Sequence, residues 1–256
     1  MAIKPIMKDE ISDKIVIATT TLYRSSLEND LVRAEIAKET ITNAKELGYK
    51  IIVVDGGSSA ELLRDFERLG AEVCQQELSG MGNCRRQAFK LAYDSGKEII
   101  VWTEPEKAPF IHQIDKAVKP IIDGSADLVI PKRKSLESYP VVQQYAELLC
   151  NTFLRELTGR DLDYCFGPRI WKREFSSYFT EYKGEYGDKW EVTLIPIIDA
   201  ISAGERVASV EIDYVHPRQQ TESEEKDLGM FRKRIEQIEN STNACETHWR
   251  KLHQPK

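Results

Sequence analysis

The sequence is short of several features that would each point to a class of function. Its 256 residues include 36 Lys and Arg against 42 Asp and Glu, so the net charge is −6 and no basic excess favours non-specific nucleic-acid binding. No window approaches about 18 uncharged apolar residues, and the N-terminal segment lacks the apolar core of a secretory signal. We therefore expect a soluble cytoplasmic protein without a transmembrane segment and without a nucleic-acid partner.

The cysteines also lack any pattern of disulfide or zinc chemistry. There are five of them, an odd number, with no CxxC pair and no Cys/His cluster at zinc spacing. They are Cys74, Cys84, Cys150, Cys165 and Cys245. We expect reduced, mostly buried thiols.

The first half of the chain alternates strand-like and helix-like segments. The predicted strands are "KIVIATT", "KIIVVD", "AEVCQQ", "EIIVW" and "ADLVIPKR", with helices between them, the last of these around Phe110 to Ile122. Ser25 or Ser26 is the predicted N-cap of the first helix, which Gly48 ends. Because the strands are nearly continuous apolar runs, both of their faces should be covered. The pattern predicts an α/β fold with a mostly parallel, Rossmann-like sheet and helices on both faces.

The second half has longer helices and one further strand. "PVVQQYAELLCNTFLRELTG" and the region near "WEVTLIPIIDAISAG" are predicted helices, "RVASVEIDYVH" a strand, and "RDLDYCFGPRIWKRE" irregular. The tail from Glu222 is charged and has helical periodicity, with a thin apolar stripe of Leu228, Phe231, Ile235 and Ile238. We expect the tail to pack on the domain or on a partner, to carry little chemistry, and to be where the chain could form a homodimer.

Polar or glycine-rich residues follow each strand of the first half. In an open parallel sheet, ligands bind at the carboxyl ends of the strands, so these segments are the candidate site. Asp55 begins "DGGSS", a tight turn that frees backbone N–H groups and suits a ligand, although a simple helix-capping turn is the alternative. "GMGNCRR" has Arg85 at the third glycine position of GxGxxG, which disfavours nicotinamide binding and favours a phosphate near Asn83, Arg85 or Arg86.

Two glutamates follow the fourth strand. Glu104 and Glu106 project from the same side of an extended backbone that Pro105 stiffens. A pair of hard oxygen ligands at a strand end suits Mg²⁺ or Mn²⁺, which would bridge a diphosphate. The alternative is a solvated charged turn, in which Lys107 pairs with one glutamate.

Eight segments, in order from Lys14 to Gln220, together resemble the nucleotide-sugar glycosyltransferases of the GT-A fold. The similar segments are "IVIATTTL", "VVDGGSSAELL", "GMGNCRRQAFKLA", "IIVWTEPE", "ADLVIPKR", "CFGPRIWKRE", "GDKWEVTLIPIIDA" and "VASVEIDYVHPRQQ". The later segments are most similar to glucosyl-3-phosphoglycerate synthases and mannosylglycerate-synthase-like enzymes, and next to dolichyl-phosphate-mannose-synthase-like enzymes. The resemblance implies a nucleotide-sugar half at residues 14–134, an acceptor and closing half at 135–220, and a helical tail at 221–256.

The resemblance also implies roles for individual residues. The donor nucleotide sugar would contact Thr19, Thr20, Thr21, Asp55, Ser58, Gly82, Arg85 and Glu104. A divalent metal would be held by Glu104, Glu106 and His216, and the acceptor side would be lined by Lys132, Arg133, Gly167 and Arg169. Arg169 also belongs with the implied catalytic residues, Asp188 and Glu191.

The implied reaction is transfer of a hexose from a UDP- or GDP-linked donor to a small hydroxylated acceptor. The metal and Arg85 would stabilise the leaving diphosphate. An inverting enzyme needs a carboxylate base, for which Asp188 and Glu191 are candidates. In a retaining enzyme, which the resemblance favours, Glu191 would instead bind sugar hydroxyls.

Two other functions stay open. A sugar nucleotidyltransferase has a similar sheet, but such enzymes usually carry a glycine-rich basic loop after the first strand, and "ATTTLYRSSLE" has no glycine. A non-catalytic nucleotide-binding protein of the same fold is the other alternative, because glutamates stand where the family has aspartates.

Overall fold

The structure, a computed structural model, describes residues 11–254 and has one seven-stranded sheet in that part of the chain. The strand order is β3-β2-β1-β4-β6-β5-β7. The strands are β1 (Ile15–Thr21), β2 (Lys50–Asp55), β3 (Glu72–Gln75), β4 (Ile99–Trp102), β5 (Leu128–Arg133), β6 (Arg169–Lys172) and β7 (Val207–Ile212). This arrangement confirms the predicted α/β fold.

One short strand reverses direction in the middle of the sheet. β3, β2, β1 and β4 are mutually parallel, β6 runs antiparallel to both β4 and β5, and β7 is parallel to β5. The prediction that "RDLDYCFGPRIWKRE" is irregular was therefore wrong over β6. The segment "RIWK" has a charged residue at each end, and its four residues are too few to show a period in the sequence.

Eleven helices surround the sheet within residues 11–254. They are α1 (Glu28–Glu46), α2 (Ala60–Leu69), α3 (Met81–Asp94), α4 (Ala108–Ile111), α5 (Ile114–Ala117), α6 (Lys119–Ile122), α7 (Val141–Thr158), α8 (Ser176–Thr180), α9 (Ile195–Ser202), α10 (Arg218–Glu224) and α11 (Leu228–Leu252). Two 3₁₀ turns lie at Arg173–Phe175 and Trp190–Thr193.

Two local predictions about these helices need correction. The helix predicted around Phe110 to Ile122 is three short ones, and a proline stands in the first turn of two of them, where its missing N–H does no harm. Leu27, rather than Ser25 or Ser26, is the N-cap of α1, and it makes no side-chain capping bond.

The core lies on both faces of the sheet. Alternate residues of β1 point to opposite sides, so Val16 and Ala18 join one cluster of buried side chains while Ile15 and Ile17 join the other. The first cluster includes Phe89, whose ring meets those of Trp102, Trp171 and Phe179 edge to face. Coverage of both faces fits the uninterrupted apolar runs of the sequence.

The C-terminal helix α11 packs on the domain, as expected of the tail, but through a different face. Its buried residues are Ser241, Ala244 and Cys245, and Ile238 is partly buried against the core. Leu228, Phe231 and Ile235 of the predicted stripe are exposed. This helix packs through small residues, whereas the predicted face was defined by large apolar side chains. A homodimer through this helix stays a prediction.

None of the helices within residues 11–254 has the length and apolar character needed to cross a membrane.

Candidate active site

A cleft of about 840 Å³ lies at the carboxyl ends of β1, β2 and β4. Residues 20–22, 55–58 and 104–107, which end or follow these three strands, form one wall. The opposite wall comes from α7, α10 and α11 with His216 before α10. The first wall is where the strand-end argument placed a ligand, and the second brings in helices whose sequences gave no such indication.

The Asp55 carboxylate is fully engaged by its own turn. One oxygen accepts bonds from the backbone N–H groups of Gly57 and Ser58, at 2.8 and 2.7 Å. The other accepts from the hydroxyls of Thr21 and Ser58, both at 2.6 Å. Because four donors fill the lone pairs of the two oxygens, Asp55 has no acceptor capacity left for a ribose or base. Direct ligation by this carboxylate, as the resemblance implied, is therefore corrected to shaping the turn.

The other residues predicted for the nucleotide divide between the cleft and the protein beneath it. Thr20, Thr21 and Ser58 line the cleft, whereas Thr19 is buried and is not among the lining residues. Ser58 also accepts a bond from the Tyr23 N–H at 2.9 Å, so its hydroxyl is committed on both sides. Thr20 is the half-buried member of the set with a side chain open to a ligand.

Gly82 serves a close approach between two segments. Its N–H donates to the Asp188 carbonyl at 3.0 Å, and a Cβ at this position would overlap the Asp188 carboxylate. Arg86 holds that carboxylate with both guanidinium nitrogens, one of them at 2.9 Å. Neither Gly82 nor Asp188 lines the cleft. In the structure, Gly82 and Asp188 instead contact each other and join α3 to the loop before the second 3₁₀ turn, in place of the predicted contacts with the donor and the substrate.

Glu191 is likewise turned into the protein. It is fully buried, and its oxygens accept the N–H groups of Asp188 at 2.6 Å and Lys189 at 2.9 Å, and the Tyr182 hydroxyl at 3.2 Å. Asp188 has a φ of 59°, which this bonding holds in place. A base or sugar-binding role for Glu191, as the sequence suggested, does not fit this geometry.

Arg85 reaches the inner end of the cleft. It is buried, donates to the Lys189 carbonyl at 3.1 Å, and lies over the Trp102 ring at 5.5 Å. Burial lowers the pKa of its guanidinium, while the negative charges of Glu104 and Glu191 oppose that shift. The Nε of Arg85 is buried and has no hydrogen-bond partner among the described residues.

Glu104 lies against Gly167 in the same region. A Cβ at Gly167 would overlap the Glu104 carboxylate, so this carboxylate can sit here only because position 167 is glycine. The Oε2 atom of Glu104 is buried without a hydrogen-bond partner in the described part of the chain. Arg85 and Arg169 are close enough for the charge of Glu104 to act on the pKa of each.

Glu106 forms an ion pair inside the protein. Its Oε1 accepts bonds from the Tyr23 hydroxyl at 2.7 Å and from Arg33 at 2.8 Å, and its side chain is 5% exposed. Lys107 does not pair with either glutamate; it donates to the Tyr139 hydroxyl at 3.2 Å and lies over the rings of Tyr139, Phe166 and Tyr214. Arg33, which the sequence analysis did not single out, is thus the partner of the second glutamate.

His216 is buried beside the cleft as a neutral ring. It stacks on Tyr139 with ring centroids 4.1 Å apart, and its Nδ1 lies 3.4 Å from the Tyr214 hydroxyl. Burial, with the positive charges of Lys107 and Arg234, lowers its pKa to about 2. Its Nε2 is buried without a hydrogen-bond partner among the described residues, and the residue lines the cleft.

The predicted acceptor residues lie deeper than expected. Lys132 is on the surface, paired with Asp161 at 2.6 Å. Arg133 is buried and paired with Asp163 at 2.8 Å and Glu147 at 2.6 Å. Burial opposes the charge of Arg133, but these carboxylates outweigh it and raise the pKa. Neither basic residue lines the cleft, so direct acceptor binding by them is corrected to an ion pair on the surface and a buried one.

Arg169 is a buried structural arginine. It donates to the backbone carbonyls of Tyr164 at 2.6 Å, Pro168 at 2.9 Å and Thr193 at 3.3 Å, and also to that of Phe166. Burial lowers its pKa to about 10. With Gly167, Arg85 and Glu104 it borders a cavity of about 40 Å³ behind the cleft, so it holds the loops around the site together.

Buried polar atoms with neither a hydrogen bond nor an ion pair concentrate at the cleft. Among residues 11–254, those lining it are Arg85 Nε, Trp102 Nε1, Glu104 Oε2, His216 Nε2 and Gln220 Oε1. An unsatisfied buried donor or acceptor costs about 1–3 kcal/mol, and native proteins keep few of them. Because the residues that carry these atoms line one cleft, their concentration there favours this cleft as the place where a polar ligand binds.

The predicted metal ligands do not form one group. Within residues 11–254, no three His, Cys, Asp or Glu side chains are arranged to hold a metal ion. Glu104 and His216 each keep a free buried atom, but Glu106 is bound by Arg33 and Tyr23. The residues present therefore do not fit the three-ligand site that the resemblance implied.

The wall of the cleft that the helices form was not predicted from the sequence. Gln143 and Glu147 of α7, together with Lys233, Arg234 and Gln237 of α11, line the cleft. Helix α11 thus lines the candidate site, a position that the expectation of little chemistry in the tail did not include. The available signal was the i, i+4 spacing of basic and amide residues next to the small residues Ser241 and Ala244, which mark the face that approaches the domain.

Comparisons with known proteins find similarity in structure. No protein-family model matches the chain, and no curated protein sequence is significantly similar to it. Glucosyl-3-phosphoglycerate synthase from Mycobacterium tuberculosis in complex with phosphoglyceric acid matches with a TM-score of 0.63 and 17% identity, over 95% of this chain and 86% of that chain. The same enzyme with Mn²⁺, UDP-glucose and phosphoglyceric acid matches with a TM-score of 0.63 and 17% identity, over 94% and 86%.

A further structure, described as a mycobacterial protein, matches with a TM-score of 0.62 and 17% identity, over 90% of this chain and 75% of that one. At this level of identity the similarity establishes the fold. The resemblance to the GT-A glycosyltransferases is thus confirmed in the path of the chain: this protein has the GT-A fold of the glucosyl-3-phosphoglycerate synthases.

Proposed function

We propose that the protein is a glycosyltransferase that moves a hexose from a UDP- or GDP-linked donor to a small hydroxylated acceptor. The observation that carries the proposal is the set of unpartnered buried atoms of Arg85, Trp102, Glu104, His216 and Gln220 around one cleft, among the described residues. The GT-A fold supplies the class of reaction, and the similar mycobacterial enzyme binds UDP-glucose and phosphoglyceric acid. A phosphorylated or carboxylated hydroxy compound is accordingly the first acceptor to test.

In the proposed reaction the bond between the sugar C1 and the diphosphate oxygen breaks, and its electron pair leaves with the diphosphate. The acceptor hydroxyl oxygen forms the new bond to C1. The departing diphosphate develops negative charge, which Arg85 can stabilise from the inner end of the cleft with its free Nε donor. The unpaired Glu104 oxygen suits a sugar hydroxyl donor.

Retention of configuration remains our preferred stereochemistry. Asp188 and Glu191, the two carboxylates proposed as inverting bases, are bound by Arg86 and by backbone N–H groups respectively. A retaining reaction needs no free base at these positions, because the acceptor proton can pass to the departing phosphate oxygen. The anomeric configuration of the product, measured by NMR during the reaction, tests this choice, and an inverted product would contradict it.

A divalent metal stays a prediction of the resemblance. One solved complex of the similar enzyme contains Mn²⁺ with UDP-glucose, and another contains Mg²⁺ with UDP. In this chain the proposed ligand set is incomplete because Arg33 and Tyr23 bind Glu106, so no step of the proposed reaction is assigned to a metal.

Calorimetric titration with UDP and GDP, followed by transfer assays with a panel of UDP- and GDP-sugars, tests the function. We expect one nucleoside diphosphate to bind and one donor to be consumed in the presence of an acceptor. A Glu104→Gln variant should lose transfer, while the matched Glu98→Gln variant, at an exposed side chain outside the cleft, should keep it. If none of the nucleotides binds, the proposal is wrong.

The same assays separate the alternatives. Release of pyrophosphate from a nucleoside triphosphate and a sugar phosphate would identify a nucleotidyltransferase. Tight binding of a nucleoside diphosphate without turnover of any donor would identify a non-catalytic member of the fold.

A further inference from the structure

Helix α11 places a lysine on the wall of the cleft with acidic groups near it but no ion pair to any of them in the described part of the chain. Lys233 is half-buried, and no hydrogen bond or ion pair joins it to another residue in the described part of the chain. The two nearest acidic groups, Glu224 and Glu106, are engaged by Arg234 and Arg33, so the half-buried ammonium group has no ion pair of its own, which is unfavourable. The position therefore suits an anion that is supplied by a ligand.

Two guanidinium groups that line the same cleft lie close enough for their charges to act on Lys233, and both are held in place by hydrogen bonds or ion pairs. Arg33 of α1 donates to Glu106 at 2.8 Å and lies 3.5 Å from Asp30. Arg234 donates to Gln143 at 2.6 Å and to Glu224 at 3.2 Å, and its other terminal nitrogen donates to Gln237 at 3.1 Å. All three cations line the same cleft, and the two arginines keep further N–H groups for a ligand.

Arg33 forms an ion pair with Glu106, the carboxylate that the resemblance implied as a metal ligand. Glu106 is the second glutamate of the strand-end pair, and the charge it meets is the Arg33 guanidinium, with the Tyr23 hydroxyl on the same oxygen. A guanidinium carries its charge without recruiting an ion, and it can bind phosphate oxygens through two parallel hydrogen bonds. A lysine beside two arginines can supply the remaining charge.

We infer that Arg33, Lys233 and Arg234 form the binding site for the diphosphate of the donor nucleotide, so that side-chain cations hold the charge for which related folds use a divalent ion. The inference rests on the proposed function, because it names the part of the donor that this site takes. It assigns to the C-terminal helix a direct role in donor binding and in stabilising the leaving diphosphate.

The test is calorimetric titration of UDP and GDP into the full chain in the presence of EDTA, and again with Mn²⁺. We expect binding in EDTA, and we expect a Lys233→Met variant to bind the same nucleotide about tenfold more weakly, as the loss of one charge-assisted hydrogen bond predicts. A Lys251→Met variant, at an exposed lysine near the end of the same helix, should bind like the wild type. Thermal melts of both variants show that the fold is kept.

Three further arms identify the group that is bound. The corresponding nucleoside, which has no phosphate, should bind equally to the wild type and to Lys233→Met. Inorganic phosphate and 3-phosphoglycerate should compete more weakly than the nucleoside diphosphate does. Stronger competition by 3-phosphoglycerate would overturn the assignment and place an acceptor phosphate at this cluster.

Two other results would also overturn it. Nucleotide binding that needs Mn²⁺ and is unchanged in Lys233→Met would return the diphosphate to a metal site. Absence of binding by every nucleotide under every condition would contradict the proposed function as well. Failure of the diphosphate assignment alone is therefore distinguished from failure of the proposed function, because in the first case a nucleotide still binds.

Discussion

Asp55 and Glu104 follow strands on either side of β1, at the same edge of the sheet, yet they differ in what binds them. The four donors that surround Asp55 all belong to the protein. Glu104 has a buried oxygen with no partner in the described residues. The first carboxylate stabilises a turn and the second is kept ready for a ligand. Sequence alone makes the two look equivalent, because both are acids after a buried strand.

The largest expected effect is on the rate of transfer, and it comes from neutralising Glu104, the carboxylate without a hydrogen-bond partner. Glu104→Gln should lower the rate of transfer by about 10²–10³-fold, since removing one group aimed at the reacting centre has this effect in other enzymes. The free energy of unfolding should change little, because the removal of a carboxylate oxygen without a hydrogen bond is offset by the loss of negative charge beside Arg85 and Arg169. Initial rates and urea denaturation check the two halves. If Glu104→Gln lowered the free energy of unfolding as much as is expected for Asp55→Asn, Glu104 would also be a structural carboxylate and the difference between the two residues would not hold.

The converse change affects stability before it affects chemistry. Asp55→Asn keeps the shape of the side chain but turns one acceptor into a donor, which then faces the N–H or hydroxyl groups that the carboxylate accepted. We expect a loss of about 2–3 kcal/mol in the free energy of unfolding, since about two bonds to a charged group are lost. Urea denaturation measures it. The matched control is Asp30→Asn, at an acid of α1 that accepts one backbone N–H bond, from Arg24 at 2.9 Å, and this change should cost less.

The fold could be predicted from the sequence to a large extent, because its signals are local. Apolar runs such as "KIIVVD" give strands buried on both faces, and the polar residues at their ends located the first wall of the cleft. β6 was missed because its four residues have no resolvable period. The second wall was missed because Gln143, Lys233 and Arg234 meet the strand ends only through tertiary packing.

Individual side-chain roles were harder to predict than positions. The resemblance places Asp188 and Glu191 among the catalytic residues, but the sequence does not show that Glu191 accepts the N–H groups of Asp188 and Lys189 or that Arg86 binds Asp188. Arg133 likewise looked like an acceptor contact, while Asp163 and Glu147 hold it in the interior. A charged residue after a strand can meet a ligand or a buried partner, and only the partner's position decides between these outcomes.

The basic side of the cleft predicts that nucleotide binding depends on pH. Burial, together with the positive charges of Arg33 and Arg234, lowers the pKa of Lys233 to about 8, against the opposing pull of Glu224 and Glu106. A bound diphosphate favours protonated lysine and raises that pKa. Affinity for the nucleoside diphosphate should therefore be flat below about pH 8 and fall by up to about tenfold per unit above it.

Titrations of the wild type and of Lys233→Met across this range measure the effect. The variant should show no fall that begins near the Lys233 pKa, because the group that loses its proton is gone. The same fall in both proteins would assign it to a group other than Lys233.

The smallest expected effect concerns Ser58, the residue that joins the Asp55 turn to the chain after β1. Its hydroxyl donates to Asp55 at 2.6 Å and accepts from the Tyr23 N–H at 2.9 Å. Ser58→Ala should reduce the free energy of unfolding by about 1 kcal/mol. The Tyr23 hydroxyl also donates to Glu106. Loss of the Ser58 bond to the Tyr23 N–H would therefore disturb the ion pair between Glu106 and Arg33. If Ser58→Ala reduces the binding free energy of the nucleoside diphosphate by more than it reduces the free energy of unfolding, the Asp55 turn and the Glu106–Arg33 ion pair are coupled through Tyr23. Equal reductions of the two free energies would show that the turn and the ion pair are independent.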